Sequence, residues 1–393
     1  MFRTMNDFNF HGKRVLLRTD VNAPLINGKV KDCLRIKKSS ETLRELSDKG
    51  AKVTVLAHQG RKHGNDYLED MEQHANILSR HIGKKVKYVH DLMGEDAKKE
   101  IKNLKNEEIL LLKNVRSLDE EVENKTPEEH SKGILVRTLS PFFDIFVNDA
   151  FSASHRSHES LVGFIPVLPS CAGRLMEKEY LNISRILKEP KHPAVIALGG
   201  NKPEDIIGVM KNLLGKGIAD KILLGGVIGN FFIAVEKNLK INNTEKLKDA
   251  SKILEEYKDK IYLPKDLALE ENGKRVERDV DKLPNNKSFF DIGEKSIELY
   301  KKEISRSSTV IMKGPMGMFE NDIFAKGTKE ILKAISRSKG FTILGGGHTS
   351  SLPETFGIPL EKFSHVSVAG GAFIRLLSGE KLPVIEALKK YCN

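Results

Sequence analysis

A chain of 393 residues, 39% hydrophobic and 30% charged, is long enough to bury two or three cores. No apolar run approaches the ~20 residues of a membrane-crossing helix, and the opening MFRTMNDFNFHGK lacks the long apolar segment of a signal peptide. The three scattered cysteines, Cys33, Cys171 and Cys392, exclude a disulfide framework and a cysteine zinc site, suit a reducing cytoplasm and are read as packing or incidental residues.

The formal charge of +11 attracts polyanions. The lysines are spread along expected helix faces, as in Lys98-Lys99 and Lys301-Lys302, and the basic runs carry few aromatics. That is not the concentrated, aromatic-interleaved patch of a nucleic-acid binder.

In chain order, residues 14–22, RVLLRTDVN, form an apolar run ending in charge. On a strand Arg18, Asp20 and Asn22 share one side. Residues 29–35 lead into a helical pattern that runs to Asp48, with Arg35 near its start. KVTVL then gives a short strand followed by the turn His58, Gln59, Gly60, Arg61. A helical segment follows near Met71 to Gly83, and residues 86–89 form another short strand. Residues 108–116, EILLLKNVR, read as a strand that ends in Asn114 and Arg116.

The run from Phe146 to Lys178 organises the chain. A strand stops at Asn148-Asp149, and the cluster His155, Arg156, His158 follows among serines. Gly163, Pro166, Pro169 and Gly173 then break the chain before a helical pattern at Leu175–Leu187. It reads as the junction of two α/β lobes, or as a polar loop and linker.

Strands alternating with helices imply a parallel sheet, and such sheets bind ligands outside the carboxyl ends of their strands. Arg18, Asp20, Asn22, His58, Arg61, Arg116 and Arg156 all follow strand ends. Arginine forks match carboxylate and phosphate oxygens, so their convergence predicts a small, multiply anionic ligand. Taken singly, each reads more readily as an ordinary surface ion pair; the repeated placement points to a site.

Beyond residues 188–193 the pattern changes. AVIALGG, KILLGG, TVIMKGPMG and FTILGGG are apolar runs ending in glycines. Glycine lets backbone N–H groups approach a phosphate or a flat base, and a following helix adds its positive end. Four such units point to a nucleotide. The segment at 363–377 repeats strand, glycine pair and helix, and LPVIEALKKY is a short amphipathic helix. GxxxxGK[ST], GxSxG and HExxH are absent, as is GxGxxG after the first strand. The missing glycine fingerprint counts against a dinucleotide oxidoreductase. His155 and His158 lack further ligands for a metal.

RVLLRTDVNAPL, DCLRI, LAHQGRK, LLLKNVR, VNDAFSASHRSHESLVGF, GRLMEKE, LGGNK, KGPMGMFE, FAKGT, LGGGHTS and FSHVSVAGGA stand in the order found in phosphoglycerate kinases. The chain resembles that family over nearly its whole length, and its GGGH resembles the archaeal branch. The resemblance implies two Rossmann-like lobes with parallel sheets flanked by helices. Residues 1–165 would form the 3-phosphoglycerate lobe, with the tail 373–393 packing back on it. Residues 166–190 would form a hinge segment and interlobe helix, and residues 191–372 the nucleotide lobe.

It implies a cytoplasmic phosphotransferase of glycolysis and gluconeogenesis that acts as a monomer and closes about its hinge. The acid would meet Arg18, Asp20, Asn22, Arg35, His58, Gln59, Gly60, Arg61, Arg116 and Arg156. The nucleotide would meet Gly199, Gly200, Lys202, Gly225, Lys313, Glu320, Gly346, Gly347, His348 and Thr349. Arg35 and Lys202 would be catalytic, and Mg2+ would arrive on the nucleotide. The chain departs from the family pattern at Ile206, where a second lysine is usual, and at His348, where a metal-associated carboxylate is usual. Lys313 stands in place of an asparagine and is expected to supply positive charge there.

Overall fold

The structure, a computed structural model, describes residues 2–237, 244–284 and 287–391. Cys392 lies outside the described residues. The chain forms two compact units: one takes the residues up to Leu181 and those from Lys381 onward, the other Asn182–Glu380. Residues 373–380 therefore belong to the second unit, and the unit boundary crosses the helix Arg174–Lys188.

The first unit is built on a six-stranded parallel sheet. Its spatial order is Val86–Tyr88, Ile109–Leu111, Lys52–Leu56, Arg14–Arg18, Ile145–Asn148, Ser170–Ala172. Val15, Leu16, Leu17, Val53, Val55, Ile109, Leu110, Phe146 and Val147 are all buried. Such unbroken apolar runs suit a sheet covered on both faces. Helix Leu34–Asp48 contributes Ile36, Leu43 and Leu46 to that core, and helix Glu72–Ile82 contributes Ala75, Ile77 and Leu78.

Three expectations shift. The first strand stops at Arg18, so Asp20 and Asn22 stand on the loop after it; there the Asn22 amide donates to Asp20 Oδ1 at 3.0 Å. The strand expected at 108–116 is only Ile109–Leu111. Asn114 ends it by accepting from the Arg116 amide at 3.0 Å, which starts a 3-10 turn. The breaker-rich passage contains an edge strand, Ser170–Ala172, paired with Ile145–Asn148.

The second unit repeats the plan with a sheet ordered Ile261–Tyr262, Lys221–Leu224, Ala194–Leu198, Thr309–Lys313, Phe341–Gly345, His365–Val366. It adds an antiparallel hairpin not expected from the sequence, Asp266–Glu271 with Lys274–Asp279. Asn272 and Gly273 turn it with φ of 53° and 73°, the mirror-image turn that matches strand twist.

In the first unit, Asp149 joins the strand Ile145–Asn148 to the helix Arg174–Lys188. Its Oδ1 accepts from the Leu175 and Met176 amides at 2.8 and 3.1 Å, satisfying helix-start donors that have no partner within the helix. A Cβ on Gly173 would lie 2.3 Å from that oxygen, so the approach needs glycine. Burial pushes the Asp149 carboxyl up to about 7 against those hydrogen bonds. The unfolded carboxyl ionises near ~4. Between about pH 4 and about pH 7 the folded state therefore holds a proton that the unfolded state releases, and stability falls as pH rises through that window.

Asp149→Asn keeps the acceptor and removes the titration. Urea unfolding at about pH 5 and about pH 8 should show a smaller pH-dependent loss than in the parent, by a few kcal/mol at most, since each tenfold difference in proton affinity between the two states is worth ~1.4 kcal/mol. An identical loss in both proteins would mean that Asp149 does not carry it.

Candidate active site

The parallel register of the first sheet sets Arg18 level with Leu56 and Asn148. The loops leaving these strands therefore emerge at one edge, and they hold most of the cationic residues singled out in the sequence. Arg18, 1% exposed, donates Nε to Ser160 Oγ at 2.8 Å and Nη2 to His58 Nδ1 at 3.1 Å. Ser160 in turn donates to the buried Glu121 at 2.7 Å.

Asp20 is the hub of the loop. Its carboxylate lies 3.8 Å from both Arg35 Nη1 and His58 Nδ1 and accepts from Ser152 Oγ. Arg35 also donates to Asn22 O at 2.8 Å, and Asn22 Oδ1 accepts from the Gly60 amide at 2.7 Å. Arg116 reaches the same turn through Gly60 O.

The electrostatics follow from burial. Desolvation pushes the Asp20 carboxyl up, but Arg35 and the hydrogen bonds from Ser152 and Asn22 hold it below the usual range. His58 is pulled well below the ordinary histidine value by burial and by Arg18, Arg116 and Arg156, so it is a neutral imidazole. Burial, then Arg156 and Arg18, lower Arg116 to about 10. Burial and the same three arginines bring His158 to about 3. Glu121 is lifted to about 6 by burial. Positive charge is therefore crowded here around Asp20 and Glu121.

Gln59 does different work from its neighbours. Its carboxamide is buried and accepts from the Ala23 amide at 3.0 Å and from His74 Nε2 at 3.1 Å. It donates to Ala23 O and to Asp66 O, each at 2.9 Å. All four hydrogen-bonding positions of an amide are filled, so Gln59 braces the loop carrying Asp20 and Asn22. Burial keeps His74 neutral, with its pKa near 4. Arg61 is exposed.

The second unit contains a cavity of about 600 Å³. Gly200, Lys202, Lys313, Glu320, Gly346, Gly347, His348 and Thr349 line it, all singled out from the sequence. Gly199 and Gly225 lie behind the lining; their amides are bonded to Lys313 O at 2.8 Å and to Leu198 O at 3.0 Å. Gly226 takes the place expected of Gly225.

The turns lock into one another. A Cβ on Gly314 would lie 2.1 Å from Gly199 O, and Gly314 has φ of +80°, so only glycine fits there. The Thr349 hydroxyl accepts from the Gly314 amide at 2.8 Å, joining two of the glycine turns. Asp205, Val227, Phe289, Phe290, Met318, Gly370 and Gly371 also line the cavity without having been assigned to it from the sequence. The glycine pair in VAGGAF was a usable signal; Phe289 and Phe290 had none.

The cavity's carboxylates are Asp205 and Glu320, set among Lys202, Lys313 and His348. Among the described residues no three His, Cys, Asp or Glu side chains gather as a metal site.

A family model described as phosphoglycerate kinase matches residues 5–380. A phosphoglycerate kinase of Methanococcus maripaludis is 44% identical, the match covering 99% of this chain and 98% of that one. One of Methanopyrus kandleri is 43% identical, covering 98% and 97%. The crystal structure of phosphoglycerate kinase from Pyrococcus horikoshii OT3 superposes with a TM-score of 0.91 at 38% identity, over 99% of this chain and 98% of that one. The phosphoglycerate kinase of Coxiella burnetii gives a TM-score of 0.84 at 30% identity, over the whole of both chains. With a family model spanning nearly all its residues and relatives matched from end to end, the chain belongs to the phosphoglycerate kinase family.

Proposed function

We propose that the chain moves a phosphoryl group reversibly between the acyl phosphate of 1,3-bisphosphoglycerate and ADP, giving 3-phosphoglycerate and ATP. The observation that carries this reading is the crowding of buried Arg18 and Arg116 with Arg35 and Arg156 around Asp20 and Glu121. It suits a small polyanion better than a neutral ligand. The glycine-lined cavity of the second unit suits the nucleotide. Val227, Phe289, Phe290 and Met318 offer apolar surface to a base, and Lys202, Lys313, Gly346 and Gly347 offer charge and bare backbone to phosphates.

The transfer balances without a nucleophilic side chain. A terminal oxygen of ADP forms a bond to phosphorus, the bond from phosphorus to the acyl oxygen breaks, and the carboxylate leaves with the electron pair. The attacking and leaving oxygens are both deprotonated near neutral pH, so no general base takes part. The protein's task is to align the partners and offset charge. In this reading Asn22, Arg61, Arg116 and Arg156 bind the acid. Asp20 and His58 position Arg35, and Arg18 supports them from the strand.

Arg35 faces the transferred group, and Lys202 and the 346–349 turn hold the nucleotide. Magnesium enters only as part of the nucleotide substrate, and no step runs through a protein-held ion. Contact between the two substrates implies that the units close on each other when both are bound and so exclude water. Action as a cytoplasmic monomer belongs to the same proposal.

A coupled assay with 3-phosphoglycerate, ATP and Mg2+ should show turnover that stops when either substrate is left out. No turnover under these conditions would end the reading. Arg35→Ala should lower kcat by roughly 10²-fold, with a smaller rise in KM, because the contact tightens as charge spreads over the phosphoryl oxygens. An unchanged kcat with weaker acid binding would make Arg35 a binding residue alone.

A further inference from the structure

Lys313 closes the strand Thr309–Lys313, inside the second sheet between Ala194–Leu198 and Phe341–Gly345. The residue is only 9% exposed, yet it lines the cavity. Its stem runs beside the glycine turn, since a Cβ on Gly346 would lie 4.0 Å from Lys313 Cγ. Among the described residues its ammonium has no hydrogen bond and no ion pair. Burial pulls its pKa below the ordinary lysine value. Asp205 and Glu204 act against that pull and Lys202 adds to it.

A lysine buried along its stem, with its ammonium at the cavity wall and no carboxylate bonded to it, is costly to keep charged. The surroundings at this point offer bare backbone: a Cβ on Gly347 would meet nothing within 4 Å, and Gly370 and Gly371 also face the cavity. The ligand chemistry such a place takes is a dense oxyanion. The cavity's other lysine, Lys202, is exposed. Water screens an exposed cation and weakens its hold on charge. A desolvated cation acts most strongly where negative charge is densest, which in phosphoryl transfer is on the equatorial oxygens of the group in flight.

We infer that Lys313 is a catalytic residue, its ammonium meeting the oxygens of the phosphoryl group being transferred at the far end of the nucleotide's phosphate chain. The inference rests on the kinase reading above and adds a residue and a division of labour to it. Lys202 holds phosphates that every nucleotide carries. Lys313 answers the one that moves.

The test compares the parent protein with Lys313→Met, which keeps length and volume without charge, and with Lys313→Arg. Steady-state kinetics give kcat, calorimetry gives affinities for AMP, ADP and ATP, and thermal melting reports the fold. Lys313→Met should lose roughly 10²-fold in kcat. It should bind AMP as the parent does and lose more affinity for ATP than for ADP. Its thermal midpoint should be equal or higher, because an unpaired buried cation has gone. Lys313→Arg should recover part of kcat.

A kcat within about twofold of the parent would overturn the inference. So would an equal loss of AMP and ATP affinity, or a lowered midpoint with lost activity that arginine does not restore; either would make Lys313 a packing residue. If the parent binds nucleotides but shows no turnover, the kinase reading fails, and the contrast between ATP and AMP still decides whether Lys313 meets the terminal phosphate.

Discussion

Buried positive charge crowded around Asp20 and Glu121 is the constraint on which the first unit depends. Arg18, Arg116 and His58 are all withdrawn from water around Asp20, and Glu121 stands behind Ser160. A fold does not gather cations in this way for its own stability, because each raises the cost of the next. The cluster tolerates it in three ways. Asp20 stays ionised, His58 stays neutral, and Arg18 is braced through Ser160. What remains is an arginine-rich edge whose shape is held by hydrogen bonds.

The second unit handles the same problem by a different route. There the backbone supplies most of the polar surface, and side chains are removed to expose it. Gly199 and Gly314 approach so closely that either Cβ would strike the other turn, and Thr349 ties the Gly314 turn to the one after Phe341–Gly345. A cavity walled by locked main chain needs little reorganisation to receive phosphate, which is the condition under which fixed dipoles are most effective.

The parallel sheets and the residues at their strand ends were legible because each apolar run stops in charge or in glycine, and the long motifs supplied the family. What stayed hidden was which atoms face outward. Gln59 sits within the motif LAHQGRK and reads as a contact residue, yet its amide is wholly committed to Ala23, Asp66 and His74. That commitment depends on a helix residue 15 positions away, a separation on which local pattern is silent. Gly225 and Gly226 are adjacent and chemically identical in sequence; only the register of Lys221–Leu224 decides which one faces the cavity. The hairpin Asp266–Glu271 with Lys274–Asp279 carried a readable Asn-Gly signal, but the charged residues around it masked the alternation.

Lys313 and the arginine cluster keep their charge in different ways. Arg18 and Arg116 are permanently charged, form hydrogen bonds with the protein, and share Asp20 and Glu121. Lys313 has no such hydrogen-bonded partner among the described residues, and burial lowers its pKa from the ordinary lysine value. An arginine fork suits an anion that must be bound in one orientation. A single ammonium suits an atom group that passes through, because it imposes no paired geometry on departing oxygens. On the proposed reading, forks on the acid side and a lone ammonium on the nucleotide side match one substrate that is held still and one phosphoryl group that moves.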